Sequence, residues 1–123
     1  MTKILRIITS GVRHREDLLA EVEYIRCLHD NDSGVSDVIC SLNGNLLEEI
    51  VCKGYIFFLC LFEKVKGKTL AENGYRYREG IPVVEYYYNC GKTLGKLRQP
   101  SKEYHPIHHH HDFFRQIYNK LCP

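Results

Sequence analysis

The chain has 123 residues and a formal net charge of +2, from 17 Lys and Arg against 15 Asp and Glu. This near balance of positive and negative charges argues against a dedicated nucleic-acid binder or a polybasic membrane binder, because such proteins cluster many more cations. Hydrophobic residues make up 44% of the chain and aromatic residues 11%. This is enough apolar material for the core of one domain, and it argues against wholesale disorder.

The sequence predicts neither a membrane span nor a secretory signal. Its longest apolar run, 55–62, falls far short of the roughly 18 residues that a span requires, and it is typical of a buried strand. Lys3 brings a charge too early for a signal peptide. We therefore expect a cytoplasmic protein whose thiols are reduced and mostly buried, because no Cys-x-x-Cys pair occurs. The cysteines are Cys27, Cys40, Cys52, Cys60, Cys90 and Cys122.

A strand and a helix are predicted first along the chain. Residues 3–9 are apolar on both faces except at Arg6, which indicates an internal strand with one cation set into it. Ser10 and Gly11 break this strand. A helix then follows over 15–29. Its apolar positions are Leu18, Leu19, Val22, Ile25 and Leu28.

Two short turn signals separate three further predicted strands. Asn43-Gly44 is the strongest two-residue hairpin signal available, and Lys53-Gly54 is a second turn. The strands on either side of each turn are expected to pair as a hairpin. The predicted strands are 35–42, 45–52 and 55–62.

The last third of the chain is predicted to be mainly helical. After an irregular polar segment, Pro82 is placed in the first turn of a helix that Gln99-Pro100 ends near Arg98. Gly91 and Gly95 would allow another element to approach this helix closely. A linker over 101–111 and a short helix over 113–121 are expected to follow. The order of all elements predicts an α+β fold, in which a mostly antiparallel sheet packs a helix on one face.

A histidine-rich stretch in the predicted linker could in principle bind a transition metal. His105, the run 108–111 and Asp112 carry suitable ligand atoms, but their spacing matches no structural zinc pattern. We interpret the stretch as a solvated linker, so no metal site is predicted.

One acidic residue falls on the apolar face of the first predicted helix. Glu21 lies between Ile25 and Leu28 at helical spacing, where a carboxylate is costly unless it is paired. Arg6, the cation in the apolar strand, is the obvious partner. A strand cation bonded to a carboxylate on the next helix is how kinases hold ATP phosphates. The alternative is that both side chains extend to solvent at the edge of the core.

Five segments of the chain, taken in order, resemble one known family. They are ILRI at 4–7, LAEVEYIRCL at 19–28, SLNGN at 41–45, LFEKVKG at 61–67 and CGKTLGKL at 90–97. The family is the aminoglycoside phosphotransferases, kinase-fold enzymes that move the γ-phosphoryl group of ATP to a hydroxyl of a small molecule or protein. The resemblance runs from about residue 3 to residue 104, and it is carried by the ordered series rather than by any single motif.

The resemblance assigns roles to five positions. Arg6 matches the strand residue that contacts the ATP phosphates, where many members have Lys, and its planar fork can also bind phosphate. Glu21 matches the helix glutamate that orients this cation. Phe62 matches the gatekeeper position. Glu63 and Val65 match the hinge residues whose backbone groups bind the adenine edge.

The resemblance also implies a domain organisation. Residues 1–66 correspond to a kinase-like N-terminal lobe without its first hairpin, 67–81 to the hinge and an irregular loop, and 82–123 to the start of a truncated helical lobe. The sequence contains no G-x-G-x-x-G. His110 and Asp112 fit the H-x-D part of the family's H-x-D-x-x-x-x-N loop, but Ile117 stands where Asn is required.

Two functions follow as expectations. The first is a fragment of a phosphotransferase with a partial site for ATP and Mg²⁺, inactive in isolation because it lacks the catalytic loop and the metal-binding aspartate. Its acceptor would be a small-molecule hydroxyl, as in the full family. The alternative is a non-catalytic interaction module that self-associates, or binds a complementary helical-lobe chain, through the apolar face of the helix predicted over 82–98.

Overall fold

A computed structural model describes residues 2–74 and 80–106 of the chain. These residues form an α+β fold with a four-stranded antiparallel sheet and two helices, which confirms the predicted fold class at this level. The elements are β1 (Lys3–Thr9), α1 (Arg15–Asp30), β2 (Val38–Ile39), β3 (Glu48–Cys52), β4 (Tyr55–Glu63) and α2 (Val83–Glu103).

The sheet is organised around β4, its longest strand. One side of β4 pairs antiparallel with the whole of β1, from Lys3 opposite Glu63 to Thr9 opposite Phe57. The other side pairs with β2 and β3. The apolar run 55–62 therefore forms the central strand of the sheet, but only Phe58 and Cys60 within it are buried, so the prediction of a buried strand is confirmed in part.

The first predicted hairpin is wrong in its pairing, although its turn forms. β2 and β3 both pair with β4 and not with each other, so they are two segments of one interrupted edge strand. Eight residues, 40–47, separate the two segments, whereas only Cys60 separates their partners on β4. The Asn43-Gly44 signal specifies a turn inside this loop, and β4 decides the strand pairing.

The second predicted hairpin is confirmed. β3 and β4 are joined by Lys53 and Gly54, with Cys52 opposite Tyr55. Lys53 has φ 50° and Gly54 has φ 79°. Positive φ at both central residues is the geometry whose twist matches that of paired strands, which explains why glycine occupies the second position.

The core lies between α1 and one face of the sheet. Leu18 and Val22 on α1 are fully buried against Phe58 and Cys60 on β4, as the periodicity predicts. Val38 and Leu47 complete this cluster from the interrupted strand and its loop. The face of the sheet that packs on α1 therefore carries the even-numbered residues of β4.

The prediction that the first strand is internal is wrong for the described residues. β1 has β4 as its only partner there, so β1 is an edge strand. Leu5 and Ile7 point away from α1 and are more than half exposed. Apolar residues on both faces suggested burial on both faces, but a second layer over Leu5 and Ile7 is absent from the described part of the chain.

The second helix is longer than predicted. It begins at Val83, with Pro82 as its N-cap, and runs through Pro100 to Glu103, so the predicted stop at Gln99-Pro100 is wrong. Proline removes one helical hydrogen bond, and Ser33 supplies a replacement donor to the freed carbonyl of Lys96. Apart from the adjoining residues and backbone of the helix itself, no described atom lies within 4 Å of a Cβ placed at Gly91 or Gly95, so the predicted close approach is not seen in the described ranges.

Three further expectations concern cysteines, membranes and the C-terminal region. Of the described cysteines, all free, only Cys60 is buried, so the expectation of mostly buried thiols is wrong. Neither helix in the described part of the chain combines the length and hydrophobicity that a membrane crossing requires. The predicted helix at 113–121, the run 108–111, Asp112 and Cys122 lie outside the described residues.

Candidate functional site

The predicted ion pair between strand and helix is present. Arg6 Nη1 lies 2.7 Å from Glu21 Oε1, and both side chains are partly buried. The pairing of Arg6 with Cys60 on β4 fixes its place in the sheet, and its even position turns its side chain toward α1. Glu21 lies one residue before the buried Val22 on the helix face that packs on the sheet. The packing of α1 on the sheet therefore places the Glu21 carboxylate next to Arg6.

A second arginine, which the sequence pattern did not reveal, shares the same carboxylate. Arg13, in the turn between β1 and α1, donates to Glu21 Oε2. The two oxygens of Glu21 thus bridge two guanidinium groups. Arg13 lies outside any periodic segment, so the only available signal was its place in the Arg13-His14-Arg15 run just before the helix.

The opposite charges in this cluster keep each other ionised, although partial burial acts against the ionised forms. Burial alone would raise the pKa of Glu21, but the hydrogen bonds from Arg6 and Arg13 outweigh it and hold the pKa below its ordinary value. Burial alone would lower the pKa of Arg6, but Glu21, together with the Cys60 thiol, raises it. The site is therefore a stable cation–carboxylate–cation arrangement at neutral pH.

Arg6 also contacts the predicted gatekeeper residue. Its guanidinium carbon lies 5.1 Å from the centroid of the Phe62 ring, a cation–π distance. Phe62 is partly buried against the core and pairs with Ile4 on β1 and Val38 on β2. The structure thus brings three of the five predicted site residues, Arg6, Glu21 and Phe62, into one contiguous cluster.

Two nitrogens of Arg6 are left without partners in this cluster. Nε and Nη2 are enclosed and have no hydrogen-bond acceptor among the described residues. Both nitrogens are closed off from solvent, so a phosphate oxygen would reach them only after the surrounding side chains moved, and the Cys60 thiol already interacts with this guanidinium.

The two predicted hinge residues differ in their surroundings. Glu63 ends β4, and its backbone groups have partners in this chain, because its N–H donates to the Asp37 carbonyl and its carbonyl accepts from Ser36 Oγ. An adenine edge at Glu63 would have to displace these contacts. Val65 lies beyond the strand and is well exposed. The structure therefore leaves Val65 the more accessible of the two.

A cleft of about 1090 Å³ lies apart from the arginine cluster, between the segment after β4 and α2. Leu70, Ile81 and Leu94 contribute much of its apolar lining, and Lys68 and Asn73 lie at its wall. Neither Arg6 nor Glu21 lines it. The described residues also contain no group of three or more His, Cys, Asp or Glu side chains placed to hold a metal ion.

Comparison of the chain with protein-family models, curated proteins and solved structures finds no significant match. The resemblance to aminoglycoside phosphotransferases therefore rests on the five sequence segments. The geometry of the arginine cluster is an independent observation, which bears on anion binding whatever the ancestry of the chain.

Proposed function

We propose that this chain is a phosphotransferase-like domain that binds the phosphates of ATP through Arg6 and that does not transfer a phosphoryl group on its own. The observation that carries the proposal is the ion pair between Arg6 on a strand and Glu21 on the next helix, 2.7 Å apart. In kinases such a pair holds the cation that contacts the ATP phosphates. The fold would then correspond to a kinase-like N-terminal lobe followed by a hinge.

The chemistry of the cluster supports a phosphate ligand. Glu21 orients the guanidinium groups of Arg6 and Arg13 beside each other, and guanidinium groups are suited to bind phosphate. Arg6 Nε and Nη2 are enclosed and have no oxygen acceptor among the described residues, so they would bind phosphate only after the surrounding side chains moved aside. A guanidinium donates parallel hydrogen bonds to two phosphate oxygens, so an arginine can take the place of the lysine found in many family members.

Phe62 and Val65 would complete the nucleotide site. Phe62, stacked against Arg6, would border the adenine, and the exposed Val65 offers backbone groups to its edge. No protein ligand is assigned to Mg²⁺, which the ATP phosphates would bring with them. The printed sequence contains no H-x-D-x-x-x-x-N catalytic loop. Phosphoryl transfer without that base and its metal carboxylate would lose most of its transition-state stabilisation.

A titration with ATP and Mg²⁺, followed by backbone amide chemical shifts, tests this proposal. We expect saturable shifts at Arg6, Glu21 and Val65 with a dissociation constant of roughly 1 mM, and weakening of about tenfold or more in Arg6→Met. The matched control is Arg15→Met, which removes an equal charge from a half-exposed arginine that only approaches Glu49. Absence of shifts at about 10 mM ATP, or equal weakening by both variants, would overturn the site.

The catalytic part of the proposal has its own test. The chain is incubated with ATP, Mg²⁺ and a panel of small-molecule hydroxyl acceptors, and phosphorylated product is measured. We expect no product above background. Turnover that disappears in Arg6→Met would show that the chain is an active phosphotransferase after all.

A second candidate function is favoured by the surface of α2. No residue of this helix is buried, and its apolar residues Val84, Tyr88 and Leu94 are largely exposed. An exposed apolar face of this kind is typical of an interaction surface. Under this alternative the chain is a non-catalytic module that self-associates or binds a partner chain through α2. Replacing Leu94 by Lys should then abolish association and leave ATP-induced shifts unchanged.

A further inference from the structure

The cleft between α2 and the segment that follows β4 has two walls of different build. Its α2 wall is formed by residues that recur every three or four positions, so they share one face of the helix. They include Tyr86, Cys90, Thr93 and Leu97. The rise of an α-helix makes the distance from Tyr86 to Leu97 about 16 Å along the axis. The wall is therefore long enough to contact the whole of a small molecule.

The opposite wall contains a hydrogen-bonded turn. Glu72 Oε2 accepts hydrogen bonds from the Thr69 backbone N–H at 2.7 Å and from the Thr69 hydroxyl at 3.0 Å. The Asn73 N–H closes the turn on the Thr69 carbonyl at 3.2 Å. Thr69 and Asn73 line the cleft, and Glu72 does not. The chain's own hydrogen bonds thus shape this wall, and they engage the carboxylate of the turn.

The described lining of the cleft combines apolar surface with a single charge. Leu70, Ile81 and Leu94 supply apolar surface, and Leu94 is 68% exposed. Lys68 is the only charged residue among the described lining residues. Within the described ranges, no ion pair involves Lys68. In this part of the chain the cleft therefore joins apolar side chains to one positive charge that has no counter-charge.

We propose that this cleft binds a small organic monoanion with an apolar body. The anionic group would lie at Lys68, and the apolar body would lie between Leu70 and Leu94. Small-molecule sites are mostly apolar pockets of roughly 300–1,000 Å³ in which a few polar groups fix the orientation of the ligand. The cleft, at about 1090 Å³, has a lining of this kind and lies at the upper end of this size. The proposal does not rest on nucleotide binding, because neither Arg6 nor Glu21 lines the cleft.

The charge of the lining favours a monoanion over other ligands. A cation would be repelled by Lys68, since no described lining residue carries a negative charge. A neutral molecule of the same shape would gain no attraction from Lys68, so it should bind more weakly than the anion. A polyanion would find one described cation for its several charges, and its remaining charges would lose water against leucine side chains.

A matched pair of aromatic probes tests the proposal. The probes are 2-naphthoate, which carries a carboxylate, and 2-naphthamide, which has the same rings and no charge. Each is titrated into the full chain and followed by backbone amide chemical shifts. We expect saturable shifts at Leu70, Asn73, Asn89 and Leu94 with 2-naphthoate, with a dissociation constant on the order of 1 mM. The affinity for 2-naphthamide should be about threefold lower or less.

Two pairs of substitutions separate the charge from the apolar surface. Lys68→Met should weaken 2-naphthoate about threefold and leave 2-naphthamide unchanged. Its control is Lys66→Met, since Lys66 is exposed in the same segment and does not line the cleft. Leu94→Ala should weaken both probes about threefold. Its control is Val84→Ala, since Val84 is 80% exposed on α2 and does not line the cleft.

Four results would overturn the proposal. Absence of saturable shifts at about 10 mM probe would remove the site. Equal affinity for the two probes, or equal weakening by Lys68→Met and Lys66→Met, would remove the preference for an anion. Displacement of 2-naphthoate by ATP, which we do not expect, would make the cleft part of the nucleotide site. Shifts of the same amides when only the protein concentration is raised would mean that a second copy of the chain covers the cleft.

Discussion

The Ser33 hydroxyl donates a hydrogen bond to the backbone carbonyl oxygen of Lys96 across 3.4 Å. In a regular helix the N–H four residues later would bond this carbonyl, but Pro100 has no N–H. Ser33 lies just after α1 and is almost fully buried. The loop that follows α1 therefore supplies a side-chain donor to the carbonyl that the proline leaves without its helical partner, and it links the two helices.

We expect Ser33→Ala to lower the free energy of unfolding by about 1 kcal/mol, the usual net contribution of one hydrogen bond. The loss arises because the Lys96 carbonyl then has neither a helical nor a side-chain donor. Urea unfolding followed by far-UV circular dichroism measures the change.

Pro100→Ala provides the matched background for that measurement. It restores the helical N–H, so Ser33→Ala should lower the free energy of unfolding much less in the Pro100→Ala background. The double-mutant cycle should therefore give a clear coupling energy between the two positions. If Ser33→Ala lowers the free energy of unfolding equally in the two backgrounds, Ser33 does not compensate for the proline.

The carboxylate of Glu21, which bridges Arg6 and Arg13, should make an acid-sensitive contribution to the stability of the fold. Arg6 and Arg13 hold the pKa of Glu21 below its ordinary value, although burial acts in the opposite direction. Because the folded-state pKa is the lower one, the ionised bridge stabilises the fold above the unfolded-state pKa of about 4.3. This contribution is lost as pH falls through the folded-state pKa. Glu21→Gln should therefore lower stability at pH 7 and flatten the decline below about pH 5.

Urea unfolding at a series of pH values measures this effect. Glu16→Gln is the matched control, since Glu16 lies in the first turn of the same helix and is exposed. Parallel pH profiles for the unaltered chain and Glu21→Gln would mean that the bridge contributes nothing to folding.

The loop 40–47 is held by a second carboxylate, Glu48. Its side chain accepts hydrogen bonds from Ser41, Asn45 and Asn43, which lower the pKa of Glu48. Glu48→Gln should speed amide exchange at Asn43 and Asn45, whose N–H groups donate to Ser41 Oγ. Lowering the pH through the folded-state pKa of Glu48 should likewise reduce the protection of these two amides relative to their intrinsic exchange rates in the unaltered chain.

Hydrogen exchange resolved by residue provides the measurement, and Glu49→Gln is the control. Glu49 is the next residue and is exposed, and its nearest cation, Arg15, is 3.8 Å away. If both substitutions leave the two amides unchanged, the loop is held by its backbone turn alone.

Periodicity in α1 allowed much of the candidate site to be predicted. The spacing of Leu18 and Val22 defines the buried face, which places Glu21 on that face and leaves Arg6 as its natural partner. Arg13 could not be found in this way, because a residue in a turn has no periodic neighbours that fix its direction. Its contact with Glu21 depends on the path of the chain between β1 and α1.

Two errors in the predicted fold, the first hairpin and the helix stop, share a physical cause. Asn43-Gly44 specifies a local turn, but the partner of each neighbouring strand is decided by β4, which lies later in the sequence. Pro100 is a local stop signal that a distant donor, Ser33, overrides. In each case a contact between residues far apart in sequence outweighs a local preference, and a pattern within a short window does not contain that contact.

The contrast between α1 and α2 yields a final prediction. Leu18 on α1 is fully buried, so Leu18→Ala should lower the free energy of unfolding by about 2–5 kcal/mol. Leu94 on α2 is largely exposed, so Leu94→Ala should change it by less than about 0.5 kcal/mol. Urea unfolding at low protein concentration measures both. A large loss with Leu94→Ala under those conditions would mean that α2 packs within one copy of the chain, and it would remove the argument for an interaction surface on that helix.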